Sequence, residues 1–514
     1  MAGNNISAKK ISSTLIVSIV AMSINYIISL VLTSYVTEHL GAETYGFVIL
    51  AKNISNYAII FTSCLNAYAS RYITIAYHEN NIQKASIYFS SVFYANVFLS
   101  FVILMLAGVG IIYVDKLLMI PNDLLAEVKI LLLLDFLNYM FLTTGSCFCV
   151  YAFIEDKLEV MNTIKLFSYV AEALVMLCLF AHLKPSIVYV GLGLLISSIV
   201  YTVGNLFAEK RYVPTLKIKH TLFKLNAVKD LVLSGIWNAI NSVGNILQTG
   251  LDLIISNLFL TGIAMGQISI VKTISALVTT MYQLFASPFQ PTLLKKYGEN
   301  DINGVVAVIN GSMKLNGFIS ALLFAGFVSF GDMYFKLWTP SQDPSVLHML
   351  TIITFLGSIS EGIAFPMFYT YTLTLKNKFP CLVTIISGLL NVAGMFILIK
   401  FYNFGAVAVV LTTTVIGWGN YFIFTPIYSA RCLGRSPKVY FTTIARILIT
   451  GTAMTLCVRV VRLIELPTSW LSLLCYALVS TAVCIPVYLY GVYSKSERIT
   501  VYRKIPFIKK FIRR

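Results

Sequence analysis

This sequence predicts an all-α, polytopic membrane protein with about fourteen transmembrane helices, built as two parallel six-helix repeats plus two C-terminal helices. Three observations carry that expectation. Of its 514 residues, 58% are hydrophobic and only 11% charged, more apolar than a soluble domain needs to be. The apolar residues gather in runs of roughly 20, long enough to cross hydrocarbon as helices, and the alternating pattern of a membrane barrel is missing. Finally, the chain matches itself without a gap when shifted by 220 residues.

The expected spans are 11–36, 45–70, 86–112, 127–151, 161–182, 186–208, 228–259, 263–290, 305–330, 346–373, 380–400, 403–429, 440–461 and 468–492. Lys9 and Lys10 precede the first. That run is long and lacks a small-residue cleavage site, so it reads as a retained helix rather than a signal peptide. Most of the 38 Lys and Arg fall in alternate loops, which places both termini in the cytoplasm by the positive-inside rule.

The repeat is legible at polar landmarks. Gly46 and Lys52-Asn53-Ile54-Ser55 match Gly266 and Lys272-Thr273-Ile274-Ser275. Tyr77-His78-Glu79-Asn80-Asn81-Ile82 matches Tyr297-Gly298-Glu299-Asn300-Asp301-Ile302, and Asn96, Phe98 and Ser100 match Asn316, Phe318 and Ser320. The period holds six spans, an even number, so both copies keep one orientation and are related by an axis along the membrane normal. The expected organisation is a first bundle over 1–208, a basic linker over 209–227, a second bundle over 228–430, two extra helices over 431–492 and a basic tail over 493–514. In helix seven, Gly235, Gly244 and Gly250 indicate either bending or close helix contact. Pro288, Pro291, Pro366, Pro426 and Pro486 mark kinks.

A net charge of +17 here reflects topology and anionic lipid head groups, not nucleic acid. The nine cysteines show no paired spacing and read as small apolar residues, with neither a disulfide framework nor a metal site implied. No GxSxG, nucleotide-binding lysine loop or HExxH motif occurs. The chain is therefore not expected to be an enzyme, and no cofactor is implied.

Ionisable residues inside the spans are the informative chemistry, because each costs at least ~2.5 kcal/mol at a helix centre. Lys52 and Lys272 sit at equivalent positions and are the first candidates to face a substrate, with snorkelling to the head groups as the alternative. Lys314 and Arg71 lie toward the cytoplasmic half, where either could receive a phosphate arriving from inside. Asp135, Glu172 and Glu361 lie deeper, as ion-coupling or structural carboxylates. Asp252 is about ten residues before the turn near Gly262 and Lys272 about ten after it, so these two are expected to pair. The position matching Asp252 in the first copy is Leu32, which leaves Lys52 the better candidate for an anionic ligand.

The segment His39-Leu40-Gly41-Ala42-Glu43-Thr44-Tyr45-Gly46 is similar to the short LG-x-x-x-YG turn of the polysaccharide transporter family, and Ala69-Ser70-Arg71 resembles the small residues and arginine that close its second helix. These Wzx-type flippases belong to the multidrug/oligosaccharidyl-lipid/polysaccharide exporter superfamily. The resemblance implies two six-helix bundles plus two helices, in a bacterial inner membrane. The implied activity is translocation of an undecaprenyl-pyrophosphate-linked oligosaccharide from the cytoplasmic to the outer leaflet, by alternating access around a cationic cavity. Membrane lipids, a polysaccharide polymerase and glycosyltransferases are the implied partners. Arginines carried on helix one by the peptidoglycan-precursor relatives are missing here between Ile11 and Val36, which puts the load on Lys52, Lys272 and Lys314. The alternative from the same superfamily is a cation-coupled multidrug exporter. Helices thirteen and fourteen are expected to lie outside the repeat and hold the polyprenyl tail through Leu471, Leu474 and Leu478.

Overall fold

The computed structural model describes residues 2–463 and 466–504, and these contain helices and turns with no strand. Lipid offers no partners to backbone N–H and C=O groups, so each span must satisfy its own, and a helix does this residue by residue. Eleven of the described helices are long and apolar enough to cross a membrane, or twelve if the pair Ala42–Tyr57 and Ile59–His78, bent by 45°, is one span. The two further segments expected to span are helical as well. One is Leu125–Phe148; the other runs from Leu225–Asn245 through a π-turn at Ile246–Gly250 into Asp252–Phe259.

The duplication is written in the helix ends. Helices Leu158–His182 and Lys378–Tyr402 start and stop 220 residues apart, and both have 25 residues. Helices Ile82–Ile112 and Ile302–Trp338 begin at equivalent positions behind equivalent turns. In each turn an asparagine, Asn80 or Asn300, adopts a left-handed φ of 60° or 56°, which ends the preceding helix at modest cost for this residue type. The next residue caps the helix that follows: Asn81 accepts from the Lys84 N–H and Asp301 from the Gly304 N–H. Asn81→Ala is expected to cost about 1 kcal/mol, read as a lower melting temperature of the solubilised protein. Lys296 bonds Asp301 directly and, with the Gly304 N–H, holds its carboxyl below the ordinary range. That contribution is full above the unfolded carboxyl's pKa and is lost as pH falls through the folded value.

Packing divides the chain into two compact units, Met1–Ile270 with Thr384–Val392 and Val271–Val383 with Ala393–Arg514. Within the first unit, residues 225–245 are held by close approach. Helix Leu225–Asn245 lies against Ile59–Asn66, and a Cβ on Gly235 would come within 1.9 Å of the Cys64 carbonyl oxygen. Gly235 therefore serves contact, and a π-turn ending at Gly250 follows the helix.

The first unit is centred on Leu65, Ile73, Phe89, Phe148, Tyr151 and Leu231. Ser90 and Ser91 fasten residues 217–224 of the basic linker to helix Ile82–Ile112. In the second unit, helices Lys438–Arg462 and Trp470–Val492 supply Tyr440, Ile444, Met454, Cys484 and Tyr488 to the same core as Val305, Ile309 and Met313. The opposite face of the last span leaves Leu471, Leu474 and Leu478 exposed, the apolar stripe expected of it. Breaks fall at the marked prolines: 3-10 turns at Ser287–Phe289 and Phe365–Phe368, and a π-turn Gly419–Phe424 before Pro426. Pro486 lies inside its helix. Of the tail, residues 505–514 lie outside the described residues.

Candidate functional site

Three of the charges singled out from sequence converge in the first unit. Lys52, half-buried on helix Ala42–Tyr57, is the cation whose charge acts on both Asp135 and Glu172. Asp135 is 1% exposed on helix Leu125–Phe148 and Glu172 is 5% exposed on helix Leu158–His182. Ser197 stands close to Glu172. Neither carboxylate oxygen of Asp135 has a hydrogen-bond partner. A buried carboxylate in that state is costly unless a cation or proton compensates it.

The helices are brought to this register by neutral polar groups. Tyr139, one turn beyond Asp135, donates its hydroxyl to the Ala58 carbonyl at 2.9 Å and shares a 2.6 Å bond with Thr62. Ala58 is the break in the bent pair, and its carbonyl accepts from the Phe61 N–H at 3.1 Å as well as from Tyr139. The residue before it, Tyr57, donates to the carbonyl of Gly250 at the end of the π-turn, beside Asp252, which is 2% exposed. Asn391 donates to the Gln248 carbonyl of the same turn at 2.6 Å. Tyr57, Tyr139 and Ser197 were not singled out from sequence. Tyr139 stands four residues from a buried acid, a spacing that puts both on one helix face, and that signal was available.

The remaining candidates are distributed. In the second unit, Glu361 accepts from Thr279 at 3.3 Å, near Tyr282 and Ser320. Lys314, 8% exposed on helix Ile302–Trp338, pairs with Glu497 at 2.6 Å. Burial pushes the Glu497 carboxyl up, but the Lys314 bond and the Ser494 donors outweigh it and hold the group below its ordinary range. The pair is therefore expected to be complete above the unfolded carboxyl's pKa and to loosen as pH falls through the folded value. Lys272 is half-buried on helix Gly262–Ala286. Arg71 stands on an exposed face of helix Ala69–His78.

A chain of membrane-crossing helices with ionic groups buried among them has the makings of a transporter rather than an enzyme, and comparison with known proteins agrees. The chain belongs to the family described as "Polysaccharide biosynthesis protein", whose model matches residues 12–295. It is 25% identical over 490 residues to a protein described as "Uncharacterized membrane protein EpsK" from Bacillus subtilis (strain 168), covering 95% of this chain and 96% of the relative. Among solved structures it resembles a lipid II flippase, MurJ, in an inward closed conformation. There the TM-score is 0.68 at 15% identity, over 92% of this chain and 99% of that one. An inward-facing multidrug resistance transporter of the MATE family, in the MOP superfamily, gives a TM-score of 0.64 at 14% identity, over 81% of this chain and 98% of that one. At such identities the solved structures define the fold alone. The protein is a multi-pass membrane protein of transporter type, associated with polysaccharide biosynthesis.

Proposed function

We propose that this protein is a flippase that carries an undecaprenyl-pyrophosphate-linked oligosaccharide, a repeat unit of O-antigen, capsule or exopolysaccharide, from the cytoplasmic to the outer leaflet, coupled to an ion. The observation that supports it most directly is that one lysine, Lys52, acts electrostatically on two buried carboxylates, Asp135 and Glu172, in a family of polysaccharide biosynthesis. A diphosphate inside hydrocarbon requires a cationic partner, and charge-assisted bonds to an ammonium supply one. With both carboxylates ionised, Lys52 is electrostatically satisfied and holds an incoming anion poorly. Uptake of a proton or a sodium ion by Asp135 and Glu172 relieves that attraction and leaves the ammonium to the phosphate. Coupling then needs no nucleotide and no catalytic residue. The setting is a bacterial inner membrane with both termini cytoplasmic, in company with a polymerase and glycosyltransferases.

The test is a leaflet assay in sealed vesicles, scoring lipid-linked oligosaccharide by accessibility to an external glycosidase. Imposing an ion gradient is expected to raise flipping by the unaltered protein. The Asp135→Asn variant, permanently neutral at that position, is expected to flip with a response to the gradient reduced at least severalfold. An unchanged gradient response in Asp135→Asn would remove that carboxylate from the coupling.

The second reading, a multidrug exporter, is favoured by the MATE resemblance and by Glu361 buried in the second unit. It predicts cation-driven efflux of a fluorescent organic cation such as ethidium. The flippase reading predicts none.

A further inference from the structure

The last described helix, Lys495–Lys504, follows the final span and sends one side chain back into the second unit. The Glu497 Oε1 atom lies 2.6 Å from the Lys314 Nζ. Its other oxygen, Oε2, accepts from the Ser494 backbone N–H at 2.8 Å and from the Ser494 hydroxyl at 2.9 Å. The ammonium also stands 5.3 Å from the centroid of the Tyr493 ring, and the buried Tyr488 hydroxyl donates to the Lys314 carbonyl at 2.7 Å.

Two features make this more than a staple. The burial is one-sided: the side chain of Lys314 is 10% exposed and that of Glu497 is 43% exposed. The lysine is thus the floor of the contact and the glutamate sits at its mouth. Charge is one-sided as well. Glu497 is the sole acidic residue after Glu465, in a terminal segment otherwise rich in Lys and Arg. An ion pair kept only for stability gains little over apolar packing. A carboxylate on a short terminal helix, by contrast, can withdraw and leave behind a lysine already desolvated and oriented for an anion.

We propose that Lys314 is a subsite for a phosphate-bearing lipid head group, and that Glu497 occupies it as a tethered substitute until such a ligand displaces the tail. The assignment of a prenyl diphosphate as that ligand rests on the flippase reading above. Phosphate presents more charge and more acceptor oxygens than a carboxylate, so it has the means to compete. The tether, however, gives Glu497 an effective concentration in the millimolar range, which the ligand must overcome. Neutralising Glu497 should therefore raise ligand affinity.

The test uses the full-length protein in phosphatidylcholine nanodiscs. Binding of geranylgeranyl diphosphate is measured alongside hydrogen exchange of the peptide covering 493–500, with a thermal melt to confirm folding. In the unaltered protein, the diphosphate is expected to speed exchange in that peptide, and geranylgeraniol, which has no phosphate, is not. Glu497→Gln keeps the shape of the side chain and is expected to bind about tenfold more tightly. Lys314→Gln should abolish the exchange response. A response to phosphatidylglycerol in the disc, with no added ligand, would assign the site to bilayer head groups. A response to inorganic pyrophosphate alone would show that the phosphate suffices without the lipid. Equal affinity in the unaltered protein and Glu497→Gln, with exchange unmoved by any of these ligands, would overturn the subsite while leaving the flippase reading intact, provided binding still depends on Lys52. Failure of every variant to bind the diphosphate would overturn both.

Discussion

Lys52→Ala is expected to abolish export of the lipid-linked glycan while the protein still reaches the membrane. Two effects combine in that result. The substitution removes the ammonium proposed to meet the diphosphate, and it leaves Asp135 and Glu172 buried with their shared cation gone. Removing the cation whose charge offsets two buried carboxylates also costs stability, so a fall in stability alone could mimic loss of function. The double variant Lys52→Ala with Asp135→Asn separates the two. It removes one of the stranded charges and is expected to recover much of the melting temperature lost by the single variant, with no recovery of export. Surface glycan and the amount of monodisperse solubilised protein are the two readouts. Export retained at half or more of its normal level in Lys52→Ala would eliminate this residue as the substrate's cation.

A large structural effect is expected at Gly266. A Cβ there would lie 2.1 Å from the Ala42 carbonyl oxygen and 2.3 Å from its carbon. These are backbone atoms that cannot rotate aside, so Gly266→Ala must push two helices apart. Overpacking typically costs 1–3 kcal/mol, occasionally more, and the upper end is expected here. Its repeat counterpart Gly46 would meet the mobile end of Met265 at 2.8 Å and the Gly266 nitrogen at 3.1 Å, a milder conflict. Gly108 has nothing within 4 Å, and alanine there should be neutral or stabilising by about 0.5–1 kcal/mol. The predicted order of melting temperatures is therefore Gly108→Ala, then Gly46→Ala, then Gly266→Ala. Equal melting temperatures across the series would show that the helices at Gly266 can part freely.

Architecture was legible in this sequence because two signals survive in an apolar chain: run length and the polar punctuation of turns. Asn80 with Asn81 and Asn300 with Asp301 announced the repeat, and the same residues turn out to build its equivalent helix caps. Neighbours were harder to read. Helices apolar on every side carry no polar face to say which way they point, so Lys52, Asp135 and Glu172 could each be named but not assembled. The partner of Lys314 was hidden for a different reason. Glu497 is far away in sequence, within a stretch whose basic residues dominated the reading. Arg71, offered as a receiver for a phosphate from inside, stands exposed. Truncation after about Arg435, which the expected peripheral place of the last two helices invites, would strip Tyr440, Ile444, Met454 and Tyr488 from the second core. Polar substitutions at Leu471, Leu474 and Leu478 probe the lipid-facing stripe without that cost.

The paired caps also show what the duplication preserved and what it let go. Elbows recur at a strict interval, whereas the acids do not: at the 220-residue shift Asp135 corresponds to Phe355, Glu172 to Val392, and Glu361 to Phe141. One inherited frame has thus been wired twice, differently. Under the coupling proposed above, an ion that loads Asp135 and Glu172 changes charge in the first copy alone. Transplanting Asp135 and Glu172 to positions 355 and 392 would give the second copy the acids it lacks, and the gradient response of that protein would read whether they load there.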